Sequence, residues 1–235
     1  MQDVNCEMRT VRSDEDLARV FADAGKNWGF DEVKAEFCAF RTLKIAWTRS
    51  LRRGRFQVSD YLFDAPEDVL KGMAECTFGR IRGEMAEYNE SVVSYLSSEA
   101  FLTANQPVSL RRYPGFRQET AGRKKNLKDS LDRLVGAGLL EPDERLVIGW
   151  EESVKRSAGR LSVTMRVVGV STALDSDRVS DTLLDYVVYS LTAVVQAGFS
   201  STGRQTHGAD HEALLDRYLD RAEAELELAR LNLSL

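Results

Sequence analysis

The chain has 235 residues, 43% of them hydrophobic and 29% charged, with a formal net charge of −5, a balance that suits a soluble globular protein with a substantial core. No apolar run approaches the roughly 20 residues of a membrane span, and the N-terminal MQDVNCEMRTVRSDEDLARV lacks the apolar centre of a signal peptide, so a cytoplasmic protein without a membrane partner is expected. Cys6, Cys38 and Cys76 are odd in number and far apart, which argues against a disulfide framework or a cysteine zinc knuckle and predicts free thiols.

In chain order, SDEDLARVFADAG offers a Ser or Asp cap, acids in its first turn and Gly25 at its end, predicting a helix over 14–24. A second helix is expected over Asp31–Phe40, with Val33 and Phe37 on one face. In RTLKIAWTRSLRRGRFQVS, Leu43, Ile45 and Trp47 alternate with polar residues, Arg52-Arg53-Gly54 supplies a turn, and Phe56 and Val58 alternate again, which predicts a β-hairpin. DAPEDVLKGMAECTFGRIRG starts a helix with Pro66 in its first turn and Val69, Leu70, Met73, Phe78 and Ile81 on its buried side. Another helix is expected over Met85–Leu102, and NQPVSLRRYPGFRQETAGRKK reads as a long exposed loop. NLKDSLDRLVGAGLL predicts a helix with Leu127, Leu131, Leu134 and Val135 as its stripe. RLVIGWEE and GRLSVTMRVVGVS predict strands, Leu161, Val163, Met165 and Val167 alternating in the second. Two helices close the chain, one from a Ser180 cap to Ala197 that is apolar over more than half its circumference, and one over Ala209–Leu233. No stretch repeats another and no linker stands out. Residues 1–235 are therefore expected to form a single α+β domain, with a helical N-terminal region over 1–50 and the core over 51–235.

Charge is unevenly placed. Arg41, Lys44, Arg49, Arg52, Arg53 and Arg55 stand in a stretch without acids, and Arg111, Arg112, Arg117, Arg123, Lys124, Lys125 and Lys128 face the single Glu119. Such clusters suit either a solvated face or an anionic partner. NLKDSLDRLVGAGLL followed by two strands also has the order of a winged-helix tail. In that alternative the protein binds nucleic acid through the basic segment 111–128.

The only two histidines, His207 and His211, follow the apolar helix in DTLLDYVVYSLTAVVQAGFSSTGRQTHGADHEALLDRYL. The strand RLSVTMRVVGVS, a turn with ALD, the helix VSDTLLDYVVYSLTAVV, a Gly/Ser loop and then RQTHGADHEALLDRYL form an order that resembles the SprT-like zincin metallopeptidases. That family's active helix carries H-E-x-x-H. Residues i and i+4 share a face and chelate one Zn²⁺, the Glu acts as general base on the bound water, and a third ligand follows downstream. Laid on this chain, the pattern puts the first histidine at Ser190, the glutamate at Leu191 and the second histidine at Val194, while His207 stands at the downstream ligand position. The resemblance thus implies a zincin-like α+β fold, helices on a small mostly antiparallel sheet, with the zinc and the catalytic residues lost and His207 as a remnant ligand. It implies a catalytically inactive protein that binds or scaffolds a protein or peptide partner, through the cleft of the former site or through the basic loops Leu51–Arg55 and Tyr113–Lys125. No phosphate-binding loop and no G-x-S-x-G elbow occurs.

Overall fold

The computed structural model describes residues 13–152, 156–203 and 209–235, and their architecture is α+β. They fall into two compact units. The first runs to Phe101 and includes Ser200–Gly203, and the second holds Leu102–Phe199 and the C-terminal residues.

In the first unit, α1 (Asp14–Asn27) is capped by Ser13, whose hydroxyl accepts from the Asp16 N–H at 3.1 Å, and it buries Leu17, Val20, Phe21 and Ala24. Three strands follow: β1 (Glu32–Cys38), β2 (Ile45–Ser50) and β3 (Arg53–Ser59), in the order β1-β3-β2. β3 lies parallel to β1 and antiparallel to β2. The predicted hairpin is present, its tip shifted to Leu51 and Arg52, where Leu51 has φ +48°. The helix predicted over Asp31–Phe40 is instead β1, so the N-terminal region is not wholly helical. Val33 and Phe37 fit a helix at i and i+4, but with Ala35 between them they equally fit one face of a strand. Hydrogen bonding to β3 decides between the two. α2 (Glu67–Ile81) and α3 (Glu90–Leu96) complete this unit, the latter capped by Asn89. Its core joins Phe21, Phe30, Phe56 and Phe78, with ring centroids 4.9–5.3 Å apart along Phe21–Phe56, Phe56–Phe78 and Phe30–Phe78, a spacing typical of tilted aromatic pairs.

The predicted helix over Met85–Leu102 breaks where the Ser98 hydroxyl caps the Phe101 N–H, and α4 (Glu99–Arg112) continues through Pro107 into residues expected as loop. The second unit then contains β4 (Phe116–Arg117), α5 (Leu127–Gly136), β5 (Val147–Glu151), β6 (Gly159–Ser162) and β7 (Val167–Ser171). Its sheet runs β4-β5-β7-β6, with β5 and β7 parallel and the other pairs antiparallel. GRLSVTMRVVGVS is therefore two strands, not one. It turns at Val163–Arg166, where Arg166 has φ +48°, and no Gly, Pro or Asn marks that turn. α6 (Asp181–Ala197) packs on the sheet face formed by Ile148, Trp150, Val168 and Val170. The predicted last helix is interrupted, giving α7 (Ala209–Leu215) and α8 (Arg221–Arg230).

The two units repeat one plan: helix, strand, edge hairpin, 3-10 turn, buried helix. α1-β1-β2-β3-α2 corresponds to α5-β5-β6-β7-α6, with strand orders β1-β3-β2 and β5-β7-β6 and the same parallel and antiparallel relations. Both central strands end in a buried serine, Ser59 and Ser171, with φ/ψ of −59°/131° and −61°/131°, and both enter a 3-10 turn. Counted from the helix N-caps Pro66 and Ser180, Cys76, Thr77 and Arg80 of α2 stand where Ser190, Leu191 and Val194 stand in α6. The residues do not repeat visibly, but the topology does.

Candidate functional site

Ser180 starts α6 by accepting from the Leu183 N–H at 3.0 Å, and Glu227 of α8 accepts from the Ser180 N–H at 2.9 Å. Beyond that cap the helix is interior almost throughout. Ser190, Leu191 and Val194 are 3%, 6% and 5% exposed, so a buried hydroxyl and two hydrocarbon side chains stand where the resemblance puts imidazole and carboxylate. The Ser190 hydroxyl donates to the Tyr186 carbonyl at 2.6 Å. Leu191 presses on the edge strand so closely that a Cβ at Gly159 would lie 2.5 Å from its Cδ1. Neither a hydrocarbon nor a hydroxyl spent on its own helix is a zinc ligand, so these residues do not fit the metal that the resemblance implies. Among the described residues no group of three or more His, Cys, Asp or Glu is arranged to hold a metal ion. His207 lies outside the described residues, and His211 sits on α7.

Three buried tyrosines surround this helix centre. Tyr186 donates to Glu225 at 2.7 Å, Tyr189 to the Leu214 carbonyl at 2.5 Å and Tyr218 to the Thr182 carbonyl at 2.9 Å. Burial pushes the Tyr218 phenol up to about 12. Burial and then the Glu225 carboxylate push Tyr186 up as well. At neutral pH these phenols are fixed donors holding α7 and α8 to α6, not acid–base groups. An open groove of about 600 Å³ lies away from the helix centre, between Asp177–Ser180 and α8, with Leu226 and Leu231 among its lining residues.

Several cations of the basic clusters pair with carboxylates within their own units. Arg53 and Arg55 on β3 reach Glu32 and Glu36 at 3.2 and 3.2 Å, pairs made available by the parallel register with β1, and Arg52 in the hairpin tip reaches Asp31, just before β1, at 3.0 Å. Lys124 pairs with Asp177 at 2.6 Å, Lys125 with Asp181 at 2.7 Å and Lys128 with Asp132 at 2.7 Å. Arg123, Lys124 and Lys125 also present three successive backbone N–H groups to the Asp175 carboxylate at 2.6, 2.8 and 2.9 Å. This is an anion-binding nest with an internal anion. Gly122 makes it possible, since a Cβ there would lie within 2.7 Å of that carboxylate. Arg111 and Arg112 end α4, where cations suit the helix dipole. Sequence reasoning found these cations but missed their partners, which lie on or beside the neighbouring strand β1, one turn along α5, or between β7 and the first residue of α6. No protein-family model, curated protein or solved structure matches the chain.

Proposed function

We propose that the chain is a catalytically inactive relative of the SprT-like zincin metallopeptidases that binds a protein or peptide partner instead of cutting it. The observation that carries the loss of catalysis is the filled centre of α6, where Ser190, Leu191 and Val194 are buried at the three motif positions; it makes α6 a structural helix and leaves binding to other surfaces of the chain. Its setting supports the kinship: an antiparallel edge hairpin, β6 and β7, leads through a short turn into a buried helix packed on the same sheet. Without zinc and a neighbouring carboxylate nothing in that helix lowers the pKa of a water or polarises a peptide carbonyl. The side chains of this chain hold the helix in place, through the tyrosine bonds and the Asp185–Arg133 pair, whose two N–H···O bonds are both 2.7 Å. The test is metal analysis of the purified protein together with hydrolysis of an unfolded protein substrate. Well under one equivalent of zinc and no cleavage is the expected result, while one tightly bound zinc with cleavage would overturn the reading.

A further inference from the structure

In the first unit the helix position matching Val194 is Arg80, and there the side chain is exposed and grips main chain. Its Nε donates to the Ala86 carbonyl at 3.1 Å, Nη2 to the Thr202 carbonyl at 2.9 Å and Nη1 to the Tyr88 hydroxyl at 3.4 Å, with the guanidinium 4.7 Å from the Tyr88 ring centroid. Thr202 belongs to a turn, Ser200–Gly203, closed by the Gly203 N–H on the Ser200 carbonyl at 3.0 Å. In the same turn the Ser201 carbonyl accepts from the Tyr88 N–H at 2.7 Å and the Ser201 hydroxyl donates to Glu87 at 2.8 Å. Gly203, at φ +62°, lies against the Tyr88 ring, where a Cβ would meet Cε2 at 2.6 Å. Two carbonyls, a hydroxyl and a missing side chain are each matched by a group of opposite character: cation and amide for carbonyl, carboxylate for hydroxyl, ring for glycine.

We propose that Arg80, Glu87 and Tyr88 form a binding site for a serine-rich turn, filled in this chain by its own Ser200–Gly203 and able to take a turn of the same Ser-Ser-Thr-Gly chemistry from another protein once its own is displaced. The inference rests on the reading that the chain binds rather than cuts, and it gives that reading a ligand. Tethering decides the occupant: a few solvent-facing hydrogen bonds hold a free peptide only at about millimolar affinity, so the attached turn wins by effective concentration.

Amide exchange on the full-length ¹⁵N-labelled protein tests it. The Tyr88 amide is expected to exchange slowly in the native chain and at least ~10-fold faster in Gly203→Val, whose turn no longer fits. Adding a capped peptide of sequence FSSTGR at about 10 mM to the Gly203→Val protein restores protection, since that concentration exceeds a millimolar dissociation constant. The same peptide with valine for glycine does not restore it. The double variant Arg80→Ala, Gly203→Val shows no rescue. The Val92 amide, bonded to the Asn89 side chain at 3.0 Å, reports that the unit stays folded, and Glu87→Gln replaces Arg80→Ala should that amide change. Unaltered Tyr88 exchange in Gly203→Val, or the absence of peptide rescue, overturns the proposal. Either result leaves the inactive-peptidase reading standing, because zinc content and hydrolysis decide that one separately.

Discussion

Asp175 shows how a single side chain organises a loop that its neighbours in sequence do not explain. Burial opposes its ionisation, but the three backbone N–H bonds from Arg123, Lys124 and Lys125, aided by the Arg123 charge, hold its carboxyl below the usual carboxylate range. A carboxylate depressed in the folded state adds stability that is full above its unfolded pKa of about 3.9 and is lost as the pH falls through the lower folded value. Asp175→Asn is therefore expected to lower unfolding stability by ~1–2 kcal/mol at pH 6, from weakened charge-assisted bonds. In urea titrations that deficit should shrink as the pH drops below about 4. A deficit independent of pH would show that the charge is not what the loop uses. Gly122→Ala should act on the same loop, because its methyl would displace the carboxylate. Nothing local reveals this nest: the basic run RKK invites an external anion, and its internal one stands about fifty residues on, a pairing that only the folded chain makes.

At the scale of elements, legibility followed period and caps. α1, α2, α5 and α6 were readable because each has a polar or proline start and a stripe of apolar residues that the fold buries. β1 was not, because EVKAEFC satisfies both periods and its choice depends on β3, with which it pairs residue by residue. The turn between β6 and β7 hid inside a clean alternation because Arg166 adopts a positive φ without the glycine or asparagine that usually signals it. The centre of α6 was legible in a negative sense. Leu191 and Val194 were recognisable as core residues in a place where ligands could stand, and both are buried. Leu191→Ala should accordingly cost about 3 kcal/mol, the usual range for a leucine truncated in a packed interior. This is measurable as a lower urea midpoint with an unchanged slope. A loss under ~1 kcal/mol would mean that Leu191 borders an open cleft.

For the whole molecule, the repeated plan was invisible in the residues because the two copies share positions, not identities. Val69 and Leu183, or Met73 and Val187, are buried at matched positions with different hydrocarbon, and cores accept such exchanges if volume and pattern are kept. What distinguishes the copies is the matched position on the central helix: Val194 is sealed inside, whereas Arg80 faces outward and holds main-chain carbonyls. The proposed polypeptide partner, and the pairing of Arg52, Arg53, Arg55, Lys124 and Lys125 with carboxylates, predict weak retention on a polyanion. The protein should leave heparin below about 0.2 M salt, and retention beyond about 0.5 M would instead favour the basic segment 111–128 as a nucleic-acid surface.

The central claim is that α6 holds the fold together and performs no chemistry, and restoring the motif in place tests it most directly. The triple variant Ser190→His, Leu191→Glu, Val194→His puts a carboxylate and two imidazoles into a filled core. It should lose at least ~3 kcal/mol of unfolding stability by urea titration, with no stoichiometric zinc binding by metal analysis. A variant that keeps native stability and takes up one equivalent of zinc would contradict the account, since it would mean that the helix still faces a cleft able to hold the metal.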